Sequence, residues 1–209
     1  SSHALDQRRA DAVRFRVAAC TNLTQDHLDY HGTLEAYAAA KQRLFTDLSP
    51  AHAVVMVDDE FGVAMAQMSR APCLRVSRDR QSLADVRPAS DILHDGAGIR
   101  CDVTTPLGKV RLESPLVGEH NLSNLLLALG ITVALGLPLE ASAHALSNAP
   151  HVPGRLERCD GTADDVVVLV GGIIPNEDVA PLHELGVKGV FGPGTSTAEI
   201  VEFIRGQVG

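Results

Sequence analysis

The chain has 209 residues, with 26 acidic against 18 basic side chains and a formal net charge of -8. That balance excludes a general electrostatic affinity for nucleic acid or anionic lipid, and an aromatic content of 3% without Trp leaves few stacking platforms for single strands. With 45% hydrophobic and 21% charged residues the sequence can form a globular core and is no disordered linker, and its length allows one large domain, or one domain and a piece of another.

The first residues, SSHALDQRR, lack both an initiator Met and the apolar stretch of a leader, which implies a start inside a longer protein. Val13 to Cys20 (VRFRVAAC) alternates and then runs apolar, as a strand entering a sheet does, and a polar loop follows from Thr21 to Gly32. Thr33 to Leu48 repeats apolar residues at helical spacing behind a Thr that can cap it. Ala53 to Val57 reads as a buried strand, Glu60 to Met68 as a helix and Pro72 to Val76 as a third strand, so the opening 80 residues predict a parallel α/β sheet.

From Asp85 to Val117 the segments DILHD, GIRCDVTT and KVRLESPLV alternate polar and apolar residues around turn signals, which predicts a small antiparallel meander. Asn121 to Leu135 carries apolar residues on most faces and predicts a buried helix, and Leu139 to Ser147 a second one begun after Pro138. Ala149 to Asp165 is rich in Pro, Gly and charge and marks the clearest boundary. Beyond it, Val166 to Val170, Glu177 to Leu185, Gly189 to Phe191 and Thr197 to Arg205 read as a βαβα unit, too small to bury a stable core alone. The four cysteines are far apart, with no Cys-x-x-Cys pair, and no run reaches the roughly 18 to 20 apolar residues of a membrane span. A cytoplasmic protein without nucleic-acid or membrane partners is the expectation.

Chemistry concentrates in Thr21 to His31, TNLTQDHLDYH, which places two His, two Asp and an Asn in one loop at the carboxyl end of a predicted strand, where open α/β sheets bind ligands. Two accounts fit: a metal and phosphate site built from His27, Asp26 or Asp29 and a distant Lys, or a solvated loop whose Asp residues cap a helix. Lys41 on an Ala-rich helix reads by composition as a solvated surface Lys. His120 to Asn124 could offer amide groups to a base, or could cap the helix they open.

Four motifs in order, SSHALDQRR, TNLTQDHLDYHGTLEAYAAAK, SPLVGEHNLSNLLLAL and VPGRLER, resemble the successive signatures of the Mur ligases. Within that family they are similar to the branch that adds the third peptide residue to UDP-MurNAc-L-Ala-D-Glu. The resemblance spans residues 1–158 and the second half of the family's central ATP-binding domain. It implies ATP-dependent phosphorylation of the D-Glu carboxylate, an acyl phosphate, and attack by the amine of an amino acid, with Mg²⁺ offsetting phosphate charge. On matching positions His27 would ligate magnesium, and Lys41, carbamylated by carbon dioxide, would be a catalytic residue and an anionic metal ligand. Ser1 and Arg9 would hold the UDP-MurNAc-dipeptide, Asn121 and Asn124 would lie by the adenine, and Arg155 near the phosphates or ribose.

The sequence departs from the family in having no Gly-x-x-x-x-Gly-Lys-Ser/Thr loop for the ATP phosphates, nor the domains that bind UDP and the incoming amino acid. The chain alone is therefore expected not to catalyse ligation. Asp165 to Arg205 is similar instead to the end of the cobalamin-binding domain of methylmalonyl-CoA mutase, a flavodoxin-like fold, through GGIIP and FGPGT. There Gly171, Gly172, Gly192 and Gly194 would flank the pocket for the cobalamin nucleotide tail, although both pairs also suit ordinary β-to-α turns. No Asp-x-His-x-x-Gly supplies a cobalt ligand, so cobalamin itself is not expected. The organisation predicted is a partial Mur ligase central domain at 1–158 followed by a partial cobalamin-binding-like segment at 159–209. A natural fusion, a chimera and a sequence-assembly artefact all fit, and so do three functions: ligase part, cobalamin-type binding fragment, or a hybrid without function.

Overall fold

The computed structural model describes residues 1–23, 28–95, 98–149, 167–172, 174, 176–184 and 186–208. The chain divides into two compact units, Ser1–Leu156 and Glu157–Gly209.

In the first unit, helix α1 (Ser2–Asp6) precedes strand β1 (Val17–Cys20), the short helix α2 (Leu28–His31) and helix α3 (Leu34–Thr46). Strand β2 (His52–Met56), helix α4 (Glu60–Met68) and strand β3 (Cys73–Val76) complete a parallel sheet in the order β1-β2-β3. The predicted first strand is shorter than its alternating pattern. Val17 pairs with His52, the first residue of β2, so the ladder starts there; before it the Phe15 and Arg16 carbonyls accept from the Ala51 and His52 amides at 3.0 Å. Thr33 caps α3 by accepting from the Ala36 amide, and Asp59 caps α4 by accepting from the Gly62 amide at 2.6 Å. Helices α1 and α2 carry no periodic signature because one turn is too short to show one.

The antiparallel sheet is built around strand β6 (Gly98–Thr105), which pairs with β4 (Arg87–Pro88), β5 (Leu93–Asp95) and β7 (Gly108–Ser114). Strict alternation in GIRCDVTT sends Ile99, Cys101 and Val103 to the core and Arg100, Asp102 and Thr104 outward. Helix α5 (Glu119–Ala134) and helix α6 (Leu139–Ser147) close the unit, and Leu122, Leu125, Leu126, Leu127, Leu129 and Val133 of α5 are all buried, as its apolar faces predict.

The residues of β2 point alternately into two cores. Val54 and Met56 join Val76, Ile99, Leu112 and the leucines of α5, while Ala53 and Val55 join Ala18, Cys20, Phe45 and Met65 beneath α3 and α4. A continuous apolar run is what a parallel strand covered on both faces requires.

The second unit is a β–α–β–α arrangement of β8 (Leu169–Gly171), α7 (Asn176–Glu184), β9 (Gly189–Phe191) and α8 (Thr197–Val208), with β8 and β9 parallel. Ser196 and Glu199 cap α8 reciprocally: the Ser196 amide donates to the Glu199 carboxylate at 3.1 Å, and the Glu199 amide to the Ser196 hydroxyl at 3.2 Å. Phe203 of α8 meets the Phe191 ring edge to face at 5.4 Å between ring centres. Both units are α/β, and the first combines a parallel sheet with a small antiparallel one, as the sequence predicts.

Gly130 is where α5 touches the parallel sheet. A β-carbon there would lie 2.8 Å from Val54 Cγ1 and 3.2 Å from Val76 Cγ2, both on fully buried side chains. Gly130→Ala should therefore lose stability despite the better helix propensity of Ala, by about 1–3 kcal/mol from overpacking, and Gly130→Val should lose more. Urea unfolding followed by circular dichroism checks this; an unchanged or raised midpoint for Gly130→Ala contradicts the close approach.

Candidate functional site at the carboxyl ends of the parallel strands

The three parallel strands end side by side, and each hands its chain to a polar loop. Thr21, Asn22 and Leu23 follow β1, Asp58 and Asp59 follow β2, and Ser77 and Arg78 follow β3. The N-terminal turns of α5 face these loops. Together Thr21, Asn22, Asp58, Asp59, Arg78, Glu119, His120, Ser123 and Asn124 line a cavity of about 490 Å³, within the usual range for small-molecule sites.

Asp58 is the hub of this cavity. One of its oxygens accepts from the Ser77 hydroxyl at 2.5 Å, and its carboxylate also accepts from the Arg78 amide at 3.1 Å and from Arg78 Nε at 3.2 Å. The same guanidinium reaches Glu119 at 3.2 Å, tying the ends of β2 and β3 to the first turn of α5. Glu119 is 80% exposed on its side chain, so this outer pair is individually weak and free to rearrange. Next to it, Asp58, Arg78, Asp79, Ile92, His94 and Glu119 border a second cavity, where the Gly118 amide donates to His94 Nε2 at 2.7 Å. Gly118 starts α5 without a side-chain cap. Carboxylates outnumber cations around both cavities, an arrangement that suits hydroxyl and amide-bearing ligands, whereas bare phosphate would need a cation beside it.

Lys41 projects from the middle of α3 toward the loop after β1. Its Nζ donates to the Asn22 carbonyl at 2.9 Å and lies 4.8 Å from the centre of the Tyr37 ring, one helical turn back. It is tied down at the strand ends, in contrast to the solvated surface Lys that composition suggests. Tyr37 stacks on His31 at 5.2 Å, and His31 meets Tyr30 edge-on at 4.8 Å, so an aromatic cluster joins α2 to α3. The Tyr30 hydroxyl donates to Asp6 at 2.9 Å, extending the cluster to α1.

The remaining expected site residues are distributed as follows. Ser1 caps α1 by accepting from the Ala4 amide at 3.4 Å. Arg9 is exposed in the turn after α1, its amide donating to the Ala4 carbonyl at 2.9 Å. Asn124 lines the 490 Å³ cavity. Asn121, expected beside it, turns its amide to the Val117 carbonyl at 2.7 Å, a bond that secures the start of α5 while Gly118 occupies the cap position. Asp29 lies in α2 and is exposed. Asp26, His27 and Arg155 lie outside the described residues. Gly171, Gly172, Gly192 and Gly194 border the turns after β8 and β9 in the second unit; Gly194 takes φ 90, a conformation that only Gly adopts cheaply. Among the described residues, no three His, Cys, Asp or Glu side chains converge as a metal site, and no helix is long and apolar enough to cross a membrane.

Asp58, Asp59, Arg78, Glu119 and His94 are not singled out by the sequence. Asp58-Asp59 directly after the apolar run AVVMV was the available signal, since residues just past the carboxyl end of a buried parallel strand sit where such sheets bind ligands.

These features place the chain in a class of α/β domains whose ligand cleft lies between a parallel sheet and the helix that separates it from an antiparallel one. Residues 1–132 match the Mur ligase middle domain, and the chain belongs to that family. It is 44% identical over 176 residues to the UDP-N-acetylmuramoyl-L-alanyl-D-glutamate–2,6-diaminopimelate ligase of Gloeobacter violaceus and 47% identical over 175 residues to that of Thermosynechococcus vestitus. Each alignment covers 81% of this chain and 34% of the relative, so the chain spans about a third of the length of these relatives. A solved structure of a ligase bearing that same name superposes with a TM-score of 0.71 at 28% identity, covering 91% of this chain and 46% of the other.

Burial holds two thiols far from reactivity. Cys20, at the end of β1, and Cys101, in β6, are both pushed up to about 11 by desolvation, which in Cys20 outweighs the pull of the Lys41 charge. Both should resist iodoacetamide at pH 8 in the folded chain and react on unfolding. Because an exposed thiol ionises near 9, the unfolded state loses protons first, and stability should fall as pH rises from about 9 to 11. Urea midpoints measured across that range for wild type and Cys20→Ala/Cys101→Ala test the sign; equal slopes contradict it.

Proposed function

We propose that this chain is part of an ATP-dependent ligase that adds an amino acid to UDP-MurNAc-L-Ala-D-Glu in peptidoglycan synthesis, and that it does not complete the reaction alone. The observation that carries this reading is the cleft at the strand ends, which gathers Asn22, Asp58, Asp59, Ser123 and Asn124 beside a tethered Lys41. Membership of the Mur ligase family and the names of the relatives supply the substrate class.

In this reading the cleft takes the nucleoside end of ATP. Its size suits such a ligand, the Asn124 amide can donate to and accept from a base, and the ring of carboxylates favours hydroxyl groups over phosphate. The phosphates then lie toward Lys41, and His27 and Arg155 belong with the metal and the nucleotide by resemblance to the family. Magnesium, when bound, offsets the charge of the phosphates during transfer to a carboxylate. His27 and a carbamate on Lys41 would hold it, because an unmodified ammonium repels a cation while a carbamate would offer it oxygen. Lys41 lies beside the Asn22 carbonyl, one further oxygen at that corner. Ser1 and Arg9 hold the UDP-sugar, the guanidinium fork of Arg9 meeting a carboxylate or phosphate.

Residues 1–158 and 159–209 are read as two domains. The later segment is the end of a cobalamin-type α/β fold carried without cobalamin, supported by its β–α–β–α order and the glycines at its turns. Limited proteolysis should cut within 149–165 and leave a stable N-terminal product; uniform resistance across that stretch speaks against two domains.

Isothermal titration of the chain with Mg-ATP tests the nucleotide reading. Wild type should bind, and Asn124→Ala should weaken binding about tenfold, in line with the loss of one or two hydrogen bonds to the base. No binding by wild type, or no effect of Asn124→Ala, overturns the assignment of the cleft. A spectral shift on adding cobalamin would favour the binding-fragment alternative, and ATP-dependent amide formation by the 209-residue chain would overturn its inactivity.

A further inference from the structure

Arg43 lies two residues beyond Lys41 on α3, yet most of its hydrogen bonds go to the segment that carries Ser1 and Arg9. Its Nη1 donates to the Leu5 carbonyl, and its Nη2 donates to both oxygens of Asp11, at 3.0 and 3.3 Å. Nε donates to Asp47 at 3.2 Å, one turn along the same helix, which holds the side chain in line. Leu5 and Asp11 flank Arg9 in the chain, so one guanidinium fastens the segment on both sides of it.

Between these two anchors the backbone makes a corner that does not form cheaply. Arg8 has φ 56, a left-handed conformation that disfavours any residue with a β-carbon. Two hydrogen bonds close the corner, from the Arg8 amide to the Leu5 carbonyl at 3.2 Å and from the Arg9 amide to the Ala4 carbonyl at 2.9 Å. The Leu5 carbonyl therefore serves both the corner and Arg43. A planar fork can satisfy a carbonyl and a carboxylate at once, which an ammonium on a flexible stem cannot do with the same geometry. The Arg43 side chain is 21% exposed, so these bonds are partly shielded from water. Before the corner, the Gln7 side-chain amide donates to the Tyr30 hydroxyl at 3.1 Å and that hydroxyl to Asp6, ties that hold α1 but do not reach past Arg8.

We propose that Arg43 is a positioning residue: it holds the left-handed corner at Arg8 and thereby fixes Arg9 relative to Lys41, so that the sugar-nucleotide group and the phosphate-side group are presented by a single rigid frame. This rests on the assignment of Arg9 to the UDP-sugar substrate, and the test separates the two ideas. Amide hydrogen exchange of Leu5 to Arg9 is measured in wild type, Arg43→Ala and Arg43→Lys. Calorimetry with UDP-MurNAc-L-Ala-D-Glu is run on wild type, Arg9→Ala, Arg43→Ala and the double variant.

Arg43→Ala should speed exchange at Arg8 and Arg9 about tenfold while β1, β2, β3 and α5 keep wild-type protection. Arg43→Lys should not restore it. Affinity should fall about tenfold in Arg43→Ala, with no further loss when Arg43→Ala is added to Arg9→Ala, the pattern of one residue acting through another. Unchanged exchange in Arg43→Ala overturns the proposal. So does faster exchange with unaltered affinity, or equal affinity losses with and without Arg9. If wild type does not bind the sugar nucleotide, the substrate assignment falls and the exchange data alone decide whether Arg43 holds the corner. Should Arg43→Ala fail to fold, Asp11→Asn removes only the far anchor and should show the same exchange pattern at smaller size.

Discussion

Helix α5 lies close against the parallel sheet at Gly130, where the absence of a side chain lets the helix backbone settle onto Val54 and Val76. Its other faces carry leucines into the core shared with Ile99, Cys101 and Leu112, so one helix is the common wall of two sheets. Interiors are packed too densely for such a wall to slide. The position of the α5 N-terminus relative to the strand ends is therefore set by apolar packing that runs along the helix from Leu122 to Gly130. The cleft is a consequence: its floor is the ends of β1, β2 and β3, and its side is the first turns of α5.

The polar groups of the cleft then stabilise an arrangement that packing has already chosen. Asp58 is satisfied by Ser77 and Arg78 within its own sheet, and only the outer link from Arg78 to Glu119 crosses to α5. That division suits a ligand site, because the part-buried Ser77–Asp58 bond holds geometry while the outer pair, with Glu119 80% exposed, can exchange partners at little cost. Lys41 follows the same logic at the other end. Its helix is anchored by Phe45 in the second core, and its ammonium is directed by the Asn22 carbonyl and the Tyr37 ring.

The segment that carries Ser1 and Arg9 is held differently. Short helix α1 places Leu5 and Ser2 in the interior and leaves the turn after it to polar ties, with Arg43 and Tyr30 reaching across from α3 and α2. In the second unit, the contacts among the described residues include Phe191 against Phe203 and the cap of α8 by Ser196 and Glu199. A two-stranded parallel sheet leaves much of its hydrogen-bonding edge to other groups, which is why such units ordinarily form part of larger sheets.

Sequence alone determined the class and order of most elements. The apolar run at 53–57, the alternation in GIRCDVTT and the many-sided hydrophobicity of α5 each follow from burying side chains at a fixed period, and that signal is local. The ordered motifs also pointed to Ser1, Arg9, Lys41 and Asn124 as residues of one site. Tertiary structure decided what these residues touch. Whether Lys41 is solvated or tethered depends on the Asn22 carbonyl nineteen positions away, and Asn121 and Asn124, three residues apart on one helix, part company because only one faces the cleft. The left-handed corner at Arg8 and its anchors on Arg43 had no pattern to read, since a non-Gly residue at positive φ is set by distant bonds and not by its own preference. Periodicity reports which face of an element is buried; long-range contacts decide which polar groups meet, because those depend on how elements of separate sequence pack together.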